Sequence, residues 1–430
     1  MVSFGLVILC ITFLINPILC YIPESRIGHS GLVIQNTLLL FGGWKYSSNL
    51  TKKYTDEIFY LNLTQQFDVA NPSWELVLGG NLPLSISFSA SFVSTFDDNL
   101  IYVIGGYMSN ITTGEYDYSN LAYMYNYSLR KWTALTVMNI TPRQEMMGII
   151  DDKGIAYIFG GYNITNDTTY EGVYYNDMRI FNASSMELSP LSITQNLPSP
   201  FSSYTANLLK NGIIVYIGGL EDSHERYPNL PYKVLGLETL RLFDTIKAEW
   251  SSMNVTGGDN IDPRFWHSSV LNTKGEIILF GGCTTNFSRI NTKFAILNTN
   301  KDIYEWTTPS ISDSPPLLYG HNANLHGNYM IITFGVNLDN LEMSTQIYLF
   351  DVNQYTWVTT YTPPPVPPKN DTSKKSSKVL IGIAVGVGGG IVLVILVSIG
   401  VGVLLSKRRN KRRKSRSKKH ILEIPSSSSI

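Results

Sequence analysis

Along most of the chain apolar residues come in short runs, each bounded by polar or glycine-rich stretches. Runs that short, rich in Ile, Val, Leu, Phe and Tyr, predict β-strands. Five of them end in a glycine pair: Leu38-Leu39-Leu40-Phe41-Gly42-Gly43, Ile101-Tyr102-Val103-Ile104-Gly105-Gly106, Ala156-Tyr157-Ile158-Phe159-Gly160-Gly161, Val215-Tyr216-Ile217-Gly218-Gly219 and Ile278-Leu279-Phe280-Gly281-Gly282. A sixth, degenerate copy is Ile331-Ile332-Thr333-Phe334-Gly335-Val336, read with Gly335 as the first glycine and Val336 in place of the second. The first glycines are then 63, 55, 58, 63 and 54 residues apart.

Each copy has the same sequel. A polar loop leads to an aromatic-rich strand, as in Ile58-Phe59-Tyr60-Leu61 or Ile347-Tyr348-Leu349-Phe350. A tryptophan follows, at Trp74, Trp132, Trp250, Trp306 and Trp357, and only the third copy lacks it. A fourth segment precedes the glycine pairs, seen in Arg26-Ile27-Gly28-His29-Ser30, Pro263-Arg264-Phe265-Trp266-His267-Ser268 and Tyr319-Gly320-His321-Asn322.

This order of features resembles the kelch repeat over about 340 residues, and six copies in sequence make the resemblance specific. It implies an all-β, six-bladed kelch-type β-propeller across residues 21–362. The physics agrees. One twisted four-stranded sheet cannot bury both faces alone, whereas six packed radially cover one another. The glycine pair allows positive φ and close backbone approach where the second strand ends, and Trp and Tyr fill the wedge between sheets. How the ring closes is not legible at this level.

Two longer apolar stretches add a membrane to this picture. Val2–Cys20 has no charged residue and reads as a signal peptide over residues 1–20, cut near Cys20–Tyr21. Val379–Leu405 is uncharged over 27 residues, more than the roughly 20 that cross a bilayer core. The run Lys407-Arg408-Arg409-Asn410-Lys411-Arg412-Arg413-Lys414 then places residues 406–430 in the cytosol. A Pro/Lys/Ser-rich stalk, residues 363–378, joins the two parts. The expected topology is a single-pass type I cell-membrane protein of the secretory pathway with the propeller extracellular.

Charge follows the same division. The formal net charge is zero, but residues 407–430 carry ten Lys/Arg against one Glu, and residues 369–378 four Lys against one Asp. Residues 1–368 therefore carry −12, which argues against nucleic-acid binding by the body. The tail suits anionic lipids. Eleven Asn-X-Ser/Thr sites, at Asn49, Asn62, Asn110, Asn126, Asn139, Asn163, Asn166, Asn182, Asn254, Asn286 and Asn370, all lie between the two apolar stretches, as in a glycosylated ectodomain. Gly382, Gly386 and Gly390 share one face of the span and suit a homodimer.

Catalytic chemistry is sparse. Some extracellular propellers similar to kelch are copper radical oxidases, and that resemblance implies a Cys–Tyr crosslink, a Tyr adjacent to a His and a further His. After the signal peptide only Cys283 remains, and no Tyr is followed by His. His29, His267 and His321 occupy equivalent repeat positions, which predicts hydrogen bonds to neighbouring segments and no metal site. His224 and His326 read as isolated in polar loops. Asp97-Asp98 and Asp151-Asp152 read as turn residues between the first two strands, and Cys283 as a packed residue. No phosphate loop or nucleophile elbow occurs, so no cofactor is expected. The expected function is binding of a protein or glycan partner in a receptor or adhesion role, not catalysis. The alternatives are a membrane-tethered extracellular oxidase or hydrolase, and a structural coat protein. Sequon crowding and an expected chain exit on the face of the 2–3 and 4–1 connections would put the partner on the opposite face.

Overall fold

Each repeat folds into one four-stranded antiparallel sheet. The strands are Ser30–Ile34, Thr37–Phe41, Ile58–Asn62 and Glu75–Leu76 in blade 1. Blade 2 has Ala90–Val93, Leu100–Ile104, Ala122–Asn126 and Lys131–Ala134. Blade 3 has Gly148–Ile150, Ile155–Phe159, Met178–Asn182 and Glu187–Leu191. Blade 4 has Thr205–Leu208, Ile213–Ile217, Thr239–Asp244 and Glu249–Asn254. Blade 5 has Ser268–Leu271, Glu276–Phe280, Phe294–Asn298 and Glu305–Thr307. Blade 6 has Asn322–His326, Tyr329–Thr333, Ile347–Asp351 and Thr356–Val358. The first strands neighbour one another around a ring, blade 6 beside blade 1.

This computed structural model describes residues 21–365, apart from 47–51, 54, 138–139, 167–170, 194 and 228–229. The expected signal peptide, most of the expected stalk, the expected span with Gly382, Gly386 and Gly390, the basic residues 407–419, and Asn49, Asn139 and Asn370 lie outside the described residues. Among the described residues no helix is long and apolar enough to cross a membrane.

The second strands are covered on both faces by adjacent blades, which is why they read as unbroken apolar runs. Six apolar layers separate the sheets. Each fourth-strand tryptophan packs against the preceding blade: Trp132 on Phe41, Trp250 on Phe159 and Trp357 on Phe280. Trp306 donates its indole N–H to Leu237 O, and Trp74 stacks on Phe334. In blade 3 Leu188 pairs with Phe181 where blades 2, 4, 5 and 6 pair the third strand with Trp.

The glycine pairs have one geometric cause. The second residue of each pair donates its N–H to the next blade: Gly43 to Ile86 O, Gly106 to Arg143 O, Gly161 to Phe201 O, Gly219 to Arg264 O and Gly282 to Leu318 O, at 2.8–3.1 Å. A Cβ on the first glycine would lie 2.1–2.6 Å from that same carbonyl. Gly335 N donates to Arg26 O and closes the set. Gly335 is thus the second member of the sixth pair, not the first. The departure in blade 6 is Phe334, at φ +56°, and Val336 lies beyond the motif. Phe334 is fully buried, with its ring against Phe59, Trp74 and His29.

Among the described residues the first strand belongs to blade 1, and blade 6 takes all four of its strands from its own repeat. Closure comes from the other end. Thr360–Tyr361 pairs with Phe67–Asp68 in the 3–4 connection of blade 1. Tyr361 is fully buried, stacks on Phe67 and donates its hydroxyl to Leu63 O. Pro364 then lies against Gly327, in the 1–2 turn of blade 6. The chain therefore leaves on the 1–2/3–4 face. This reverses the exit expected from the direction of the last strand, because the chain turns back immediately after Val358.

Candidate functional site

The connections between strands 2 and 3 and between blades pair with each other above the ring. Tyr107–Ser109 pairs with Ser85–Ser87, Leu220 with Ser202, and Val336–Asn337 with Leu318–Tyr319. This second tier gives the 2–3/4–1 face a rigid, side-chain-rich surface around the central channel.

At that end of the channel, six equivalent residues enter the first strands: Gly28, Phe88, Glu145, Ser203, Trp266 and Gly320. All have φ between +51° and +66°. Each donates its N–H to the carbonyl of its counterpart in the preceding blade: Phe88 to Gly28, Glu145 to Phe88, Ser203 to Glu145, Trp266 to Ser203, Gly320 to Trp266 and Gly28 to Gly320, at 2.8–3.3 Å. The result is a closed ring of six backbone hydrogen bonds. Below it runs a cavity of about 410 Å³ lined by residues such as Ser89, Ser91, Thr205, Ser269, Asn322 and Asn324.

Phe88 and Trp266 belong to opposite blades of the ring, and their side chains stack over its axis with centroids 5.0 Å apart and planes at 28°. Gly28 makes room, since a Cβ there would lie 2.4 Å from the Phe88 ring. Trp44 meets Phe88 edge-on, and Tyr319 stacks on Trp266. Phe88, Trp266, Trp44 and Tyr319 are all partly exposed. Beside this belt Glu145 accepts hydrogen bonds from the Ser203 hydroxyl and from the Ser202 hydroxyl, the latter at 3.2 Å. Burial raises its pKa, against the lowering effect of Ser203, Ser202 and Trp266. The Trp266 indole N–H is buried without a well-formed hydrogen bond.

Two residues before the ring, blades alternate between buried arginine and an apolar side chain: Arg26, Ile86, Arg143, Phe201, Arg264, Leu318. The arginines donate to Gly42 O, Gly160 O and Gly281 O at 3.0–3.1 Å. Arg26 pairs with Glu57 and Arg143 with Asp177. Burial pulls the Glu57 carboxyl up, but hydrogen bonds from Lys45 and Tyr21 and the charges of Lys45 and Arg26 prevail and hold it near about 2.

The three repeat histidines are interblade links. His29 Nε2 bonds Thr333 Oγ1 at 3.0 Å, His267 Nε2 bonds Thr205 Oγ1 at 3.1 Å, and His321 Nε2 bonds Ser268 Oγ at 2.7 Å. Burial drives all three below the usual imidazole range, His321 to about 3. His326 is not isolated in a loop. It ends the first strand of blade 6, and its Nδ1 bonds Tyr361 Oη at 2.7 Å. His224 lies in the strand Leu220–Tyr227, again not in a loop. No group of three His, Cys, Asp or Glu converges among the described residues.

Cys283 is buried beneath Phe265, and burial pushes its thiol pKa up. Asp97 and Asp151 lie in 1–2 turns and accept the N–H groups of Asn99 and Lys153; Asp98 and Asp152 are exposed beside them. Asn110 and Asn286 lie in 2–3 connections, Asn163 and Asn166 in the strand Tyr162–Asn166, and Asn254 ends a fourth strand. Asn62, Asn126 and Asn182 all end third strands, and each Oδ1 accepts a backbone N–H two or three residues on. Asp244 and Asp351 do the same in blades 4 and 6. The ring residues were the part missed from the sequence: four of the six are not glycine, so no local signal marks their left-handed backbone.

Six four-stranded sheets joined through glycine pairs define a kelch-type propeller. The sequence matches the family described as "KLHDC2/KLHL20/DRC7 Kelch-repeats domain" over residues 16–230 and 231–392, and the chain belongs to that kelch-repeat family. Kelch domain-containing protein 1 of Mus musculus is 24% identical over 345 residues, covering 74% of this chain and 77% of the relative. Kelch domain-containing protein 2 of Bos taurus is 22% identical over 360 residues, covering 77% and 82%. The solved structure of YjhT matches with a TM-score of 0.57 at 13% identity, covering 79% of this chain and 99% of YjhT, a likeness of fold alone. Membership of the kelch-domain family carries a protein–protein interaction role.

Proposed function

We propose that the chain is a single-pass cell-surface glycoprotein whose propeller binds a protein partner through its 2–3/4–1 face, in a receptor or adhesion role. The observation that carries the docking face is the aromatic belt of Phe88, Trp266, Trp44 and Tyr319 over the channel mouth. Partly exposed aromatic side chains held by a rigid tier are the composition of interaction hot spots. The opposite face receives the returning chain at Pro364, which removes one reason for placing the partner there. The membrane part of the reading is supported by the uncharged run Val379–Leu405, the basic cluster behind it and the confinement of the sequons. The tail then contacts anionic lipids, and Gly382, Gly386 and Gly390 offer a pairing face. The reading is non-catalytic because His29, His267 and His321 are engaged in holding blades together.

The test uses the full chain, epitope-tagged after Ile430, on intact cells. Protease should remove the propeller and leave the tag, glycosidase should lower the mass, and surface crosslinking should recover a protein partner. Protection of the propeller from protease would overturn the topology, and recovery of no protein would overturn the binding role.

A further inference from the structure

Among the described residues two of the three buried arginines have carboxylate partners, Arg26 with Glu57 and Arg143 with Asp177, and so does the partly buried Arg241, with Glu221. The third, Arg264, donates to Asp262 O and Gly281 O. Glu145 is the reverse case. It is the one charged member of the backbone ring, and among the described residues its carboxylate meets the hydroxyls of Ser202 and Ser203 and the Trp266 indole but no Lys or Arg. Glu145 is partly exposed on the cavity lining, and a carboxylate partly withdrawn from water without a cation beside it gains when one arrives. Its surroundings suit that cation. The Phe88–Trp266 stack lies over the same mouth, and the faces of aromatic rings attract ammonium and guanidinium groups. The body carries −12 over residues 1–368, which favours approach of positive charge.

We infer that Glu145, flanked by Phe88 and Trp266, receives a lysine or arginine side chain of the protein partner at the channel mouth. This rests on the protein-binding reading above and names the chemistry of the partner's anchor. A guanidinium fits best: its planar fork matches a carboxylate, and its cation suits the aromatic rings beside it. The Ser202 and Ser203 hydroxyls hold the carboxylate in place from behind.

The test titrates the purified full chain with labelled Gly/Ser peptides carrying one central arginine or lysine, and with their citrulline and acetyl-lysine counterparts. The charged peptides should bind at least about tenfold more tightly than the neutral ones, a difference of about 1.4 kcal/mol. Glu145→Gln should erase that discrimination, whereas Glu187→Gln, on the exposed outer strand of blade 3, should keep it. Trp266→Leu should weaken the charged peptides while preserving their preference, which provides a second reading if Glu145→Gln fails to melt as a folded protein. Equal binding of charged and neutral peptides, binding of none, or discrimination that survives in Glu145→Gln overturns the assignment. Surface crosslinking decides the broader reading separately. A partner recovered equally by wild type and Glu145→Gln leaves protein binding standing and removes this anchor. Peptide discrimination with no partner recovered does the reverse.

Discussion

Histidine at equivalent positions of successive repeats invites a metal reading, and its actual role follows from burial. His29, His267 and His321 each spend a ring nitrogen on a hydroxyl of the preceding blade, and none has room for a proton's charge. In the unfolded chain their pKa is near about 6.5. Below that pH the unfolded state binds protons that the folded state refuses, so stability falls as pH drops from about 6.5, and for His321 the loss continues to about 3. Each such histidine contributes up to about 1.4 kcal/mol per pH unit in that window. Denaturant unfolding should therefore give lower stability at pH 5.5 than at pH 7.5, and His321→Asn should make the dependence shallower. An unchanged slope would count against the buried neutral state. A similar argument separates two roles of Asn126. Its Oδ1 holds a turn, as Asp244 and Asp351 do elsewhere, and the same residue opens a sequon. Asn126→Asp should keep the turn and leave the melting temperature nearly unchanged. Asn126→Ala should cost about 1 kcal/mol, while both remove any glycan. Equal destabilisation by the two would assign the effect to the sugar and not the turn.

At the scale of the element, what was legible is what the backbone forces on the sequence. A glycine pair recurs because a neighbouring carbonyl stands where a Cβ would be, 2.3 Å away at Gly281, and because only glycine adopts φ near +69° there without strain. Gly281→Ala should cost at least about 2 kcal/mol, from the left-handed backbone and the clash together, by chemical denaturation of the full chain. A change within experimental error would mean that blades 5 and 6 can move apart. The sixth copy was misaligned by one residue because Phe334 takes the left-handed position that glycine holds elsewhere, and its ring fills the layer between blades 6 and 1. The channel-mouth ring was illegible for a related reason. Phe88, Glu145, Ser203 and Trp266 adopt positive φ under a cyclic set of hydrogen bonds that exists only once all six blades are assembled, so no local pattern encodes it.

For the whole molecule the decisive problem is closing a ring from a linear chain. Here six four-stranded sheets each come from one contiguous segment, and among the described residues no strand is shared between the first and last blades. The joint between them relies on Gly335 donating to Arg26 O, on the apolar layer around Phe334, and on Thr360–Tyr361 reaching back to blade 1. Tyr361 concentrates that last contact. Its ring is fully buried against Phe67 and Tyr329, and its hydroxyl meets both Leu63 O and His326. Removing only the hydroxyl in Tyr361→Phe should cost about 1 kcal/mol. Tyr361→Ala should cost about 3–5 kcal/mol, comparable to losing a core aromatic even though the residue lies at the end of the propeller. Tyr355, partly exposed on the outer hairpin of blade 6, is the control, and Tyr355→Ala should cost much less. Hydrogen exchange adds a spatial readout: in Tyr361→Ala, faster exchange should appear first in the first and outer strands of blades 1 and 6, with blades 3 and 4 unchanged. Uniform acceleration around all six blades would show instead that the ring opens as one cooperative unit, and that the C-terminal return holds no particular joint.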